Sequence, residues 1–451
     1  MTRSLGIGSL SGEERIVSLE DGFLGLPLSG IDMNDSILRA MLLSACVALP
    51  QALLPLTATA AVSADKPLGT NGPSVDDLQK YSEIFLHAKK MMDDPRTWDK
   101  IPSKVTLCVF SPEGAKGDGY DFAMSALHEL PKYSQIAQNM GMDMKATMTG
   151  PLSMHVDLAS VVLKRKVSTD VKFRIYSNEQ IAVEDFKANQ CDGVVMSNLR
   201  AKEFNPFVGS LDAIGAVQSY AQLTQAIELL AKPEAAKYMV NQDYETVGII
   251  PMGAAYIMVD DRKINTLAKA AGKKVAVLDY DKSQARMVQQ IGAQPVSVDL
   301  TTISGKFNNG QVDIMAGPAL IFKPFELYKG MTAPDGSVKG AIIRFPIVQI
   351  TGVVMMHRSR FPAGLGQLLR EFVAMQAPMA YRFIDQTEKD IPAKYWMEVE
   401  ADDKPEYIMM MREARIAMTG YGYYDKAMMS FLKKIRCQFN PTNYECTMKG
   451  E

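Results

Sequence analysis

Clustered basic residues, histidine and cysteine are all scarce in this sequence, and each scarcity closes off a class of function. Across 451 residues, 49 Lys and Arg stand against 51 Asp and Glu, with no long block of Lys or Arg. A chain without a basic stripe lacks the electrostatic footprint of a nucleic-acid binder or of a polybasic membrane patch, so no nucleic-acid partner is expected. The four histidines, His87, His128, His155 and His357, are scattered, and none stands at ligand spacing from a cysteine. No zinc site is therefore expected. There is also no G-x-S-x-G elbow, no P-loop, no G-x-G-x-x-G after a strand and no H-E-x-x-H. With so few bases able to activate a nucleophile, neither an enzyme nor a cofactor is expected.

What is present is an ordinary globular composition, 47% hydrophobic and 22% charged, in a chain long enough for two domains. Residues 40–64, "AMLLSACVALPQALLPLTATAAVSA", are uncharged and exceed the roughly 20 residues that span a bilayer. Pro50 and Pro55 interrupt them, however, and the second half is small and polar. With Arg39 ahead and Val62-Ser63-Ala64 before Asp65, the segment reads as a cleaved secretory signal ending near Ala64. Two alternatives stand beside it: Leu43-Ser44-Ala45-Cys46 has the form of a lipoprotein box, and the segment could be retained as an anchor. Because a signal begins near an N-terminus, Met33 is expected to be the start, with 1–32 a mis-assigned leader and 33–64 the signal.

Export places the remaining cysteines in an oxidising compartment, where thiols pair. Removing Cys46 with the signal leaves Cys108, Cys191, Cys437 and Cys446, and four cysteines allow three connectivities. The Pro-Thr-Asn turn inside "CQFNPTNYEC" favours Cys437 with Cys446, which leaves Cys108 for Cys191.

Residues 65–102 read as a polar linker and an N-terminal helix opening at Ser74. From Val105 onward, short β-branched runs ("VTLCVF", "VKFRIYS", "GVVMSN") alternate with helical spacing, the pattern of parallel βαβ units in an open sheet. Two longer strands follow: "VGIIPMGAAYIMV", broken at Pro-Met-Gly, and "AIIRFPIVQITGVVMMHR", broken at Pro346 and Gly352. Each would cross between two α/β lobes, and two crossings make a hinge. The expected lobes are 103–247 with 355–451, carrying the C-terminal helices, and 248–354. A long helix after Phe361 should kink or end at Pro378.

The residues from "YETVGIIPMGAAYIMVDDRKINTLAKAAGKKVAVLDYDK" through "VDIMAGP" resemble the middle of the periplasmic solute-binding proteins of TRAP-type transporters, and the likeness extends more loosely over 103–400. "EDFKANQCDGVVMSNLRA", "VAVLDYDK" and the "CQFNPTNYEC" tail are similar to a branch of bacterial solute-binding proteins. The resemblance implies a two-lobed periplasmic-binding-protein fold of class α/β: open parallel sheets, an antiparallel crossing strand, a hinge and long C-terminal helices. It implies a monomeric receptor that closes over a small polar ligand and passes it to inner-membrane permease subunits. Relatives that bind organic acids usually carry arginine where this chain has Ala276, often asparagine where it has Gly317, and in some members arginine where it has Tyr256. A bidentate guanidinium is the natural partner of a carboxylate, so these departures argue against a simple carboxylate ligand.

Ligands of open α/β sheets bind beyond the carboxyl ends of the strands, which nominates particular turns. "FSPEGAKGDGYDF" offers Ser111, Glu113 and the peptide N–H groups that begin at Gly114, although it could be a plain strand-to-helix loop. Asn178 follows the second strand as ligand group or helix cap, and Ser197, Asn198 and Arg200 follow the third, the arginine alternatively in an ion pair. The other lobe supplies Asp279 and Tyr280, with one of Asp279 and Asp281 expected to cap a helix. Tyr256 and Gln349 lie on the crossing strands, where packing between lobes is the alternative.

Thirty methionines are unusual, and "NMGMDMKATMTGPLSMH" sets Met140, Met142, Met144, Met148 and Met154 beside His155. Soft thioethers suit Cu(I), so envelope copper handling stands as an alternative function, alongside accessory service to an efflux system. Methionine as flexible core filling, on an inserted surface hairpin, is the plainer reading of the same residues.

Overall fold

The β-branched runs become strands of one mixed sheet in a computed structural model of the chain. It describes residues 75–451 except 118–119, 122–124, 126–130, 132–133, 136, 139–140, 142 and 449. The expected leader, signal and start of the linker, with Met140 and Met142, lie outside the described residues. The strands are β1 Lys104–Phe110, β2 Asp143–Gly150, β3 Ser153–Ser160, β4 Arg165–Tyr176, β5 Gly193–Ser197, β6 Val240–Asn241, β7 Tyr244–Val259, β8 Lys274–Leu278, β9 Gln294–Val298, β10 Ile314–Pro318, β11 Ala341–His357 and β12 Trp396–Met397. The longer described helices are α1 Val75–Met92, α2 Glu179–Lys187, α3 Tyr220–Ala231, α4 Lys282–Gln290, α5 Leu365–Met375, α6 Ala377–Asp390, α7 Lys404–Gly420 and α8 Lys426–Phe439.

Strand order is β2-β3-β4-β1-β5-β11-β7-β10-β8-β9, with β12 on β11 and β6 on β7. β1 runs parallel to β4 and β5 on one side, and β8 runs parallel to β9 and β10 on the other. Between these halves lie the two long strands, antiparallel to each other and to their outer neighbours β5 and β10. Residues 77–451 form one compact unit. Local signals set the helix ends: Asn178, Ser219, Asp281 and Asp425 cap α2, α3, α4 and α8 through their side chains. The helix expected after Phe361 is divided, α5 stopping at Met375 and α6 starting with Pro378 in its first turn, where a missing N–H costs nothing.

The expected breaks at Pro-Met-Gly and Pro346 are irregularities of the ladder, but Gly352 is not a break: it pairs in register with Ile250 and Ser197, the bulge lying one step earlier. Ile350 pairs with Gly253 and Thr351 with Pro251, so Met252 is the extra residue, and Gly253 has φ +100. Glycine reaches that conformation without the Cβ penalty, and the bulge turns the strand while keeping its ladder on either side. The ladder also shifts register around Pro346, which has no N–H to give. Gly248 allows α5 to press on β7: a Cβ there would stand 2.8 Å from the Val373 methyls.

Cys108 bonds to Cys191 and Cys437 to Cys446, the pairing expected from the sequence. The second bridge secures the tail over a buried ionic cluster. Arg415 donates to Glu451 at 2.6 Å and Glu445 at 2.9 Å, and Arg436 stands 2.7 Å from Glu451, all four side chains about 1% exposed. The guanidinium groups also donate to the Ile214 and Ala216 carbonyls.

Candidate ligand-binding cleft

A cavity of about 570 Å³ lies where the parallel strands of both halves end. Its wall takes Ser111 after β1, Ser197 and Leu199 at the end of β5, Tyr280 after β8, and Gly317 and Ile321 at the end of β10. The middles of both crossing strands complete it, with Met252 from the bulge of β7 and Thr351 from β11, and it runs on into the apolar interior toward Tyr407 of α7.

A polar bridge joins the halves beside this cavity. Glu179, at the first position of α2, accepts a 2.6 Å bond from the Ser197 N–H and receives the Tyr280 hydroxyl at 3.4 Å. Arg200 lays its guanidinium 3.5 Å from the centre of the Tyr280 ring and holds Nε 3.7 Å from Glu179. Lys202 stands 3.5 Å from Asp281. Burial raises the Glu179 carboxyl pKa, opposed by the Ser197 N–H, and lifts the Tyr280 hydroxyl well above its usual range, with the neighbouring Glu179 adding to the shift.

Asp212 lies deeper. It accepts from the Thr351 hydroxyl at 2.6 Å, the Thr351 N–H at 2.9 Å and Asn198 Nδ2 at 3.0 Å. Burial outweighs these bonds and pushes its pKa up to about 6.

Of the side chains nominated from sequence, Ser111, Ser197 and Tyr280 line the cavity, as do Ala276 and Gly317, two of the three departures singled out in the sequence. Arg200 reaches the bridge. Asn198 is buried between the Val208 carbonyl and Asp212, and Gln349 is buried opposite Ala254. Asn198 Oδ1, Arg200 Nε and Gln349 Oε1 are buried without a hydrogen-bond partner, each next in sequence to a residue of the cavity wall. Tyr256 instead donates to Glu388 at 3.1 Å and packs edge-on against Trp396. Asn178 caps α2, Asp279 is exposed, and Asp281, not Asp279, caps α4. Glu113 is half-buried in the loop after β1, where the Gly114 N–H donates to the Ser111 carbonyl inside the turn. Glu179, Lys202, Asp212 and Thr351 are not among the residues the sequence nominates. Glu179 directly follows Asn178 and is within reach of the same strand-end rule, whereas Asp212 is one acid in an apolar run.

The methionine segment forms the β2–β3 hairpin on the sheet edge. Met148 faces Met154 directly and Met144 shares their side, while His155, one residue on, takes the opposite face. There its Nδ1 is 2.7 Å from Asp170 and its Nε2 3.3 Å from Asp157. Met144 packs against the small core formed with Phe85 and Ala88.

A mixed α/β sheet in two halves, joined by crossing strands around a cavity at the strand ends, is the two-lobed fold of solute-binding proteins. Solved structures agree on the fold. A TRAP periplasmic solute-binding protein from Desulfovibrio salexigens with bound orotic acid aligns at TM-score 0.55 and 14% identity, covering 75% of this chain and 99% of that one. One from Shewanella oneidensis with bound succinate aligns at TM-score 0.53 and 10% identity, covering 74% and 99%. The family model "Solute-binding protein AdeT 1/2" matches residues 60–451, and the chain belongs to that family. It is 48% identical over 282 residues to "Probable solute-binding protein AdeT1" of Acinetobacter baumannii, which spans 62% of this chain and 91% of the relative. It is 31% identical over 241 residues to "Probable solute-binding protein AdeT2" of the same organism, spanning 53% and 99%. The protein is a solute-binding protein of that family, with the fold seen in TRAP periplasmic receptors.

Proposed function

We propose that this receptor is exported to the periplasm, closes over one small ligand and delivers it to permease subunits in the inner membrane. The observation that carries the proposal is the cavity at the strand ends with both crossing strands in its wall, so that one occupant would touch both halves. Closure is favoured only by contacts absent from the open form, and a ligand that bridges the halves makes such contacts. The lobes that move are taken as 103–247 with 355–451, and 248–354. Ser111, Ser197, Arg200 and Tyr280 are the groups taken to meet or enclose the ligand, since they line the cavity or bridge its sides. Export rests on the leader pattern before Asp65 and on the two cysteine pairs, which suit an oxidising compartment.

Native mass spectrometry of protein purified gently from its own envelope tests the proposal. A small-molecule adduct lost on denaturation is expected, on a chain beginning at Asp65 with two disulfides. Small-angle scattering should then show contraction when the released compound is added back. A cytoplasmic protein with free thiols, or re-addition without contraction, would count against it.

A further inference from the structure

Charge is nearly absent from the cavity wall. Among the described residues that line it, Asp212 and Asp281 are the only ionisable side chains besides tyrosines, and no Lys, Arg or His is present. Both acids already have partners: Asp212 accepts from Thr351 and Asn198, and Asp281 caps α4 and stands beside Lys202. A carboxylate entering would surrender its hydration and find no basic side chain in the wall, because Arg200 beside it is stacked on Tyr280 and faces Glu179, a loss that hydroxyls and peptide groups do not recover. Ala276 on β8 and Gly317 on β10 add no polar side chain to the wall. An ammonium ligand would have to take Asp212 from its three donors or Asp281 from Lys202. Most of the rest of the wall is aliphatic and aromatic, with Thr266, Gln284 and Thr351 as uncharged polar exceptions, and Met252, extruded by the bulge, adds a side chain able to adapt its shape. Hydroxyls gather at the strand ends, on Ser111, Ser197 and Tyr280. A volume of about 570 Å³ is within the range that holds a drug-sized molecule.

On the receptor reading above, we infer that the solute is an uncharged amphipathic molecule. Its apolar body lies against Phe110, Leu199, Met252, Ile321 and Phe325, and one hydrogen-bonding group sits at the strand ends near Ser111 and Ser197. The receptor thus selects against the organic anions named with its structural neighbours and for a compound that partitions poorly into water.

The neutral fluorophore N-phenyl-1-naphthylamine probes this with the purified, dialysed full chain, with orotate and succinate as anionic comparisons. Saturable one-to-one emission is expected, while neither anion raises the melting temperature or displaces the probe. Ala276→Arg, which puts a guanidinium into the wall, should weaken probe binding by at least about tenfold. Leu199→Gln is the milder second variant and should weaken it by a few fold, about threefold or more, with circular dichroism confirming that it folds. Absence of saturable emission, or emission untouched by either folded variant, overturns the inference. If orotate or succinate binds and contracts the protein while the fluorophore does not bind, the ligand class is wrong and the receptor reading stands. If the fluorophore binds as expected but the radius of gyration never changes, the ligand class stands and the closing receptor falls.

Discussion

Asp212 is a buried carboxyl at the edge of the cavity, and its three donors do not fully offset the lost hydration. Its pKa rises from 3.8 to about 6, so the folded state keeps the proton at pH values where the unfolded chain has released it. The stability this contributes is fully present below about pH 4 and is lost as pH rises through about 6. A rise of that size corresponds to roughly 3 kcal/mol. Asp212→Asn cannot titrate, so the stability of the wild type relative to this variant should fall by about 2.5 kcal/mol between pH 4 and pH 7. Urea melts at both pH values read the difference, and a constant gap would mean that Asp212 does not change protonation there. Arg415 sits in a cluster where two guanidinium groups face two carboxylates out of water. Arg415→Met leaves Glu445 and Glu451 sharing Arg436, and losing one member of such a group costs about 3–5 kcal/mol. The midpoint of urea unfolding should drop with its slope unchanged; a loss under about 1 kcal/mol would show that water or a local shift replaces the guanidinium.

At the scale of elements, the bulge in β7 decides which side chains face the cavity. Gly253 holds φ +100, so Gly253→Val should destabilise the fold by about 1–3 kcal/mol through backbone strain alone. It should also weaken ligand binding, because resolving the bulge would withdraw Met252 and displace Thr351. Thermal melts beside a binding titration check this, and a variant that binds normally would separate the bulge from the site. Much of this element structure is legible in the sequence. Pro-Met-Gly and Pro346 announce irregular strands, Pro378 divides a helix, and strand-to-helix turns point to one end of the sheet, because local sterics act there. The site itself is only partly legible. Asp212 meets Thr351 across 139 positions and Tyr280 meets Glu179 across 101, pairings that no local pattern encodes. An apolar cavity wall reads the same as core, since composition does not say whether two apolar surfaces touch or leave space between them. For the methionines the period of the strand is decisive, placing His155 on the face opposite Met148 and Met154.

For the whole molecule, the proposed closure raises the question of what sets the balance between open and closed forms. Arg200 comes from the half built on β1, β4 and β5, and Tyr280 from the half built on β8, β9 and β10, so their stacking at 3.5 Å exists only when the halves meet. A desolvated cation–π contact is worth about 2 kcal/mol, whereas the Tyr280 hydroxyl reaches Glu179 at a weak 3.4 Å. The guanidinium, not the phenol hydroxyl, should therefore hold the closed form. Removing about 2 kcal/mol from one side of a two-state balance changes the population ratio by roughly 30-fold. Arg200→Ala should enlarge the radius of gyration of the unliganded protein and weaken ligand affinity by up to about 30-fold, since ligand must now supply the closing energy. Its melting temperature should fall only modestly, because neither half loses its apolar core and the one charge left behind, Glu179, keeps the Ser197 N–H. Tyr280→Phe keeps the ring under the guanidinium and should leave the unliganded radius of gyration close to wild type. If Arg200→Ala lowers the melting temperature while the scattering curve is unchanged, the pair belongs to the static fold, and closure must be driven by ligand contacts alone.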